Sequence, residues 1–374
     1  MTGEKSRKVR GLAKRTASMV GKAMQKPVIG ITMGDPGGIG PEIIIKTLRG
    51  MKPPRHFHLL VIGDWEVFEL LKRKTKLGIP FRKVDSPEAS SWREGRVHFL
   101  DVSQETAKLL QRHAPAEDPA SFKIGEVSRV NAAMTLASLA KATELAVQGR
   151  IRAIATAPLN KEALRLLEPS FRGHTEYLAH ASGCREFAMM FVGPKLKVTL
   201  VTLHIPLKKV NEVLTSDLIE SKIRLTDHFL KTYFKIPRPK IAVCALNPHG
   251  KETGEEEEKV ILPAIAALRE LQVDVRGPFP SDILFYYAYR GQYDAVVSMY
   301  HDQGLGPFKM QALHEGVNVT VGLPFIRTSP DHGTAFDIAW QRKADPSSMM
   351  ASLRLACRFL KKEDVGPKTQ AAES

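Results

Sequence analysis

Cysteine is scarce in this chain, with three in 374 residues, Cys184, Cys244 and Cys357. Odd in number and far apart, they offer neither a disulfide framework nor a paired metal-ligand spacing. That suits a reducing compartment, and a cytoplasmic location is expected. Long apolar runs are also missing. No stretch approaches the roughly 18 apolar residues of a membrane span, and no apolar segment with a cleavage site opens the chain. No membrane partner is expected. Acidic residues are few, so the formal net charge is +15. The first 26 residues hold eight Lys/Arg against one Glu, which accounts for +7 of it. The other +8 is spread without a basic stripe or an aromatic stacking motif, so no nucleic-acid partner is expected. Residues 1–26 read as a solvated, disordered leader, and the remaining basicity can serve anionic substrates.

What is present is an alternation. Hydrophobic residues make up 43% of the chain, enough for two packed domains or one large one. The strand-like run PVIGITM leads into the helical PEIIIKTL, and FHLLVIGD leads into WEVFELLKRK. The long helical stretch VSRVNAAMTLASLAKATELAVQG precedes IRAIATAP, and DLIESKIRLTDHFLKTYF precedes KIAVCALNP. Such alternation predicts an α/β protein built mainly on parallel sheet. EFAMMFVGPKLKVTLVTL reads instead as two strands joined at a Gly-Pro turn, so some antiparallel pairing is expected. GDPGGIG, between a strand and a helix, is a backbone turn whose spacing matches neither G-x-G-x-x-G nor a Walker A loop.

Three apolar strand-like runs end in histidine: KVTLVTL in His204, KIAVCALNP in His249, and DAVVSMY in His301 followed by Asp302. In open α/β sheets ligands gather beyond the carboxyl ends of strands. Three neutral imidazoles from separate strands can hold a divalent ion and leave a position open for substrate.

GITMGDPGGIGPE, ATAPLNKEAL, GHTEYLA, LHIPL, LNPHG, MYHDQG and GVNVTVGLPFIRTSPDHGTAFDIA follow one another in order. Through them the sequence from about residue 27 to about 360 resembles the 4-hydroxythreonine-4-phosphate dehydrogenase family. The resemblance implies a two-domain α/β/α fold like that of isocitrate and isopropylmalate dehydrogenases, with a central cleft and mixed, mainly parallel sheet. The expected division is one lobe from 27–150 plus 305–374 and a second from 151–304 carrying the metal histidines and dimer contacts. In such a fold the glycines of GDPGGIG are expected to line the cleft. His204, His249 and His301 are implied as ligands of one divalent metal (Zn, Mg, Co or Mn), in a site shared across a homodimer interface. Substrate contacts fall on His174, Thr175, Lys309, Asn318 and Arg327; guanidinium and ammonium groups are apt partners for a phosphate. Asp282 and Asp302 are candidates for proton handling or for orienting a ligand histidine, and Lys161 is a candidate base or substrate contact.

The implied reaction is NAD-dependent oxidation of the secondary alcohol of 4-hydroxy-L-threonine 4-phosphate, with loss of carbon dioxide, in pyridoxal 5'-phosphate biosynthesis. DHGTAFDIA resembles the loop by which the isocitrate and isopropylmalate enzymes hold the adenosine end of their cofactor. That assigns His332, Gly333, Thr334, Ala335 and Asp337 to the cofactor. Asp337 can accept from a free ribose 2′-hydroxyl and would repel a 2′-phosphate, so NAD is expected over NADP. Alternatives are D-erythronate or D-threonate 4-phosphate as substrate, a phosphate-free cis-diol acid, or, in another class, a phosphate acyltransferase. One departure stands out: after His249 the chain reads GKETGEEEE, shorter and more acidic than the Gly-rich loop usual in the family.

Overall fold

The computed structural model describes residues 26–51, 55–87, 92–250 and 252–363. The leader, except Lys26, and the polar end from 364 lie outside them.

Twelve strands form one sheet in the order β3-β4-β2-β1-β5-β12-β11-β6-β7-β10-β8-β9. In the first half, β1 (Val28–Thr32), β2 (His58–Gly63), β3 (Phe81–Val84), β4 (Val97–Asp101), β5 (Ala153–Thr156) and β12 (Ile326–Pro330) pair in parallel. In the other, β7 (Lys197–Leu200), β8 (Ile241–Cys244), β9 (Val275–Phe279) and β10 (Ala295–Ser298) do the same. Between them β11 (Val317–Val321) and β6 (Ala188–Val192) make three successive antiparallel pairings, from β12 through to β7. The two parallel halves therefore run in opposite directions. The Gly-Pro turn between β6 and β7 is the antiparallel hairpin that the sequence implied.

The near-continuous apolar strands are explained by burial on both faces. Along β8, Ile241 and Val243 join one hydrophobic cluster while Ala242 and Cys244 join another. Along β10, Ala295 and Val297 part from Val296 in the same way. Helices cover both sides. α1 (Gly40–Gly50), α2 (Trp65–Thr75), α3 (Ser103–His113) and α4 (Arg129–Val147) belong to the first half. Ser128 caps α4 by accepting from the Asn131 N–H at 3.0 Å, and its alanine-rich surface lets it pack against β1, β2 and β5. Two short helices follow β5, α5 (Lys161–Arg165) and α6 (His174–Ala181). The second half adds α7 (Ser216–Phe229), α8 (Leu262–Glu270), α9 (Ser281–Tyr289) and α10 (His301–Ala312). α11 (Ser347–Glu363) returns to pack on β12 and β5. Phe308 of α10 is fully buried, with its ring against Phe191, and removing that side chain from water contributes roughly 1.5–3 kcal/mol.

The GDPGGIG turn has a different role from lining the cleft. Gly34 takes φ 70 and Gly38 lies so close to Thr334 that a Cβ there would meet its carbonyl oxygen at 2.7 Å. The Ile39 N–H donates to that same carbonyl at 2.9 Å, and the Trp340 indole donates to Pro36 O at 3.0 Å. The glycines seat the 331–340 segment; none of them borders the cavity described below.

Candidate active site

A cavity of about 370 Å³ opens where the two halves meet. Its floor is the antiparallel middle of the sheet. Asn318 and Thr320 alternate on β11, opposite Ser329 and Arg327 on β12, so all four point to one face. The walls come from the segments after β5 and β12 in one half and after β7 and β10 in the other.

Arg327 is 3% exposed. Its Nη1 donates to Thr320 Oγ1 at 3.1 Å and its Nη2 to Thr156 Oγ1 at 2.9 Å, while Nε has no partner. Burial lowers the guanidinium pKa to about 10, opposed by the Glu176 carboxylate, so it stays charged at neutral pH. A buried charged donor without a partner is costly unless an anion joins it. Asn318 Oδ1 is buried and unpartnered in the same floor. Thr175, 1% exposed, lies 3.3 Å from Thr320 Oγ1. His174 and Thr175 open α6, with Gly173 as the preceding cap. His174 is held well below the usual imidazole value by burial first, then by Arg327 and Lys161, and is neutral. Lys309, on α10, reaches Asp331 at 3.4 Å. Burial raises the Asp331 pKa and Lys309 opposes the shift.

His204 and His301 face each other with ring centroids 5.5 Å apart. Burial, then Lys161 and His301, lowers the His204 pKa, leaving a neutral imidazole. His301 Nδ1 sits 2.7 Å from Asp302 Oδ1, which leaves its Nε2 free. The HDQG turn is positioned by Gln303, whose amide donates to Ala245 O at 2.7 Å and accepts from the Met299 N–H at 2.7 Å. Gln303 thus ties the start of α10 to β8.

His249 does not border this cavity. It occupies a tight turn with φ 57. The acidic loop after it holds that turn: the buried Glu257 carboxylate accepts from the Leu246 and Asn247 N–H groups, each at 2.8 Å, and the Asn247 amide donates to Glu256 and Glu257. Among the described residues no group of three His, Cys, Asp or Glu side chains lies close enough to hold a metal. Within one chain the donor set is the His204–His301 pair.

Of the proton-handling candidates, Lys161 lines the cavity. Asp302 borders it only through His301, being 91% exposed itself. Asp282 lies elsewhere, on α9 in a second cavity with Phe285, Tyr286 and Met310, and accepts from the Ile283 N–H at 2.9 Å. Of the residues expected to bind a cofactor, His332 and Gly333 reach the cavity rim. Ala335 turns the chain with φ 43, and Asp337 is exposed in the one-turn helix Phe336–Ile338. Sequence reasoning missed Thr156, Thr320, Glu176, Ser329 and Asp331. Polar residues at alternate positions of apolar strands, in VNVTV and IRTSP, were the available signal for Thr320 and Ser329.

Residues 55–356 match the family described as "Pyridoxal phosphate biosynthetic protein PdxA". A 4-hydroxythreonine-4-phosphate dehydrogenase of Desulforapulum autotrophicum is 43% identical over 334 residues, covering 88% of this chain and 95% of that protein. A D-threonate 4-phosphate dehydrogenase of Salmonella typhimurium is 42% identical over 342 residues, covering 90% and 100%. The crystal structure of a 4-hydroxythreonine-4-phosphate dehydrogenase from Klebsiella pneumoniae superposes with a TM-score of 0.77 at 40% identity, over 89% of this chain and 99% of that one. With a family match across most of its length and relatives above 40% identity, the chain belongs to the PdxA family of oxidoreductases.

Proposed function

We propose that this chain carries out the NAD-dependent, divalent-metal-assisted oxidation and decarboxylation of a four-carbon 3-hydroxy acid 4-phosphate, with 4-hydroxy-L-threonine 4-phosphate as the first substrate. The observation that carries the reading is the unpartnered Arg327 Nε, buried in the cleft floor beside the other substrate contacts that the resemblance implies. Lys309 and Asn318 complete an anion-binding set. A second reading, D-threonate 4-phosphate as substrate, is supported by the name of the Salmonella typhimurium relative.

The imidazoles fit a divalent cation by their chemistry: His204 is neutral and His301 has its Nδ1 engaged by Asp302. They would hold the ion, and His249 from a second copy of the chain would supply the third ligand of a homodimeric site. Bound there, such an ion supplies Lewis acidity towards the substrate hydroxyl. The chain's own residues do the rest. Arg327 and Lys309 anchor the phosphate and so fix the register of the carbon chain. The buried Thr156, Thr175 and Thr320 hydroxyls hold Arg327 and the start of α6 in place. Neutral His174 offers a hydrogen bond without adding a charge beside Arg327. His332 and Gly333 place the loop expected to receive NAD at the cleft rim, with Asp337 beyond it to favour a free 2′-hydroxyl. The test is NADH formation from 4-hydroxy-L-threonine 4-phosphate and D-threonate 4-phosphate, with added Zn, Mg, Co or Mn. Absence of NADH with both substrates overturns the proposal.

A further inference from the structure

Lys161 and Glu176 flank one point in the cleft. A Cβ placed on Gly173 would lie 2.9 Å from Glu176 Oε2 and 3.5 Å from Lys161 Nζ. Both residues line the cavity, yet among the described residues no ion pair or hydrogen bond joins them. The absent Gly173 side chain leaves a slot between a carboxylate and an ammonium group, open towards the substrate site. The two share His204 as a neighbour, and Lys161 also acts on His174 and Glu176 on Arg327. The pair therefore lies between the phosphate anchor and the imidazole pair, where the reacting carbons of a phosphate-anchored acid would sit. The cavity's other acid, Asp331, is engaged by Lys309.

We propose that Glu176 and Lys161 act as a proton-exchanging pair for the two chemical steps. The inference rests on the dehydrogenase reading above. The steps balance without a net proton. As the C3–H bond gives its electron pair to the nicotinamide and the C3=O bond forms, the hydroxyl proton passes to the Glu176 carboxylate. The C1–C2 bond then breaks, carbon dioxide leaves, and the electron pair stays on the enolate. Lys161 gives a proton to C2, and Glu176 returns its proton to Lys161 through one water bridging the Gly173 slot. One proton leaves oxygen and one arrives at carbon, so a carboxylate and an ammonium group one water apart close the cycle.

The test uses the full-length enzyme with its metal and NAD. General acid–base groups contribute roughly 10²–10⁴-fold, so Glu176→Gln should lower kcat by that order. Thermal stabilisation by inorganic phosphate should be kept, since Arg327 and Lys309 are untouched. Glu176→Ala, which vacates the carboxylate's volume, should regain turnover as formate is added, a response that a purely structural role would not produce. Variants within about threefold of the parent in kcat, or loss of activity with no response to formate, overturn the proposal. If the unaltered enzyme forms no NADH from either phosphorylated acid, the dehydrogenase reading itself fails and the pair falls with it. That outcome is distinct from a parent that turns over alongside an unaffected Glu176→Gln.

Discussion

Arg327→Met separates binding from folding in a way that can be measured. Burial pushes the guanidinium pKa down to about 10 from its ordinary, higher value, a cost on the order of 3 kcal/mol. The sign follows from the cation: a lowered folded pKa means the charged form is disfavoured in the native state. At neutral pH, below both values, that cost is fully present, and it is relieved only as the pH rises above about 10. Methionine has a similar unbranched reach and no charge. Its cost is the two hydrogen bonds to Thr156 and Thr320, about 1 kcal/mol each. The two terms nearly offset, so the free variant should unfold in urea within ~1–2 kcal/mol of the parent. Breaking a structural buried ion contact would instead cost ~3–5 kcal/mol. Phosphate reveals the other side. At a hundredfold excess over Kd, inorganic phosphate should stabilise the parent by ~2.7 kcal/mol and leave the variant unchanged. A variant destabilised by more than ~3 kcal/mol, or one that phosphate still protects, would refute the argument that Arg327 is held in a strained state for an anion.

Four further outcomes are expected. Arg327→Lys keeps the charge but loses the planar fork, and Lys309→Ala loses a point charge; each should raise the substrate KM by about tenfold or more, and unchanged kinetics for both would remove them from the phosphate site. His301→Ala should remove bound divalent metal, read by elemental analysis, together with most activity, while the circular dichroism spectrum is retained. Asp337→Lys should erode a preference for NAD over NADP, and equal kcat/KM with both cofactors in the parent would sink that assignment. Asp35, 1% exposed with one carboxylate oxygen unpartnered, has its pKa raised by burial from 3.8 to about 6. Its contribution to stability is therefore present below about 3.8 and lost as the pH rises through about 6, a change of up to ~3 kcal/mol. Guanidinium unfolding at stepped pH should show Asp35→Asn flattening that part of the profile, and parallel curves for parent and variant would contradict it.

Much of this was legible in the residue order. Alternating apolar runs and amphipathic helices specify a mainly parallel α/β sheet, because strands buried on both faces are apolar on both, as Ile241–Cys244 and Ala295–Val297 are. The Gly-Pro turn marked the antiparallel hairpin, and the motif residues Lys161, His174, Thr175, His204, His301, Lys309, Asn318 and Arg327 do converge on one cavity. What the sequence alone left open depends on strand order. Thr156 and Arg327 stand 171 positions apart, yet bond because β5 lies beside β12. Thr320 meets Arg327 because β12 lies beside β11. No local period encodes such neighbours; they follow from which edges pair. Glu176 was hidden for a related reason: an acid in a short helix looks solvated until the Gly173 backbone brings it opposite Lys161. Asp282 looked as suitable as Lys161 by residue type, and only the fold puts it on α9 in a different cavity. His249 shares its strand-end position with His204 and His301, but a left-handed turn braced by Glu257 keeps it out of the cleft formed by a single chain.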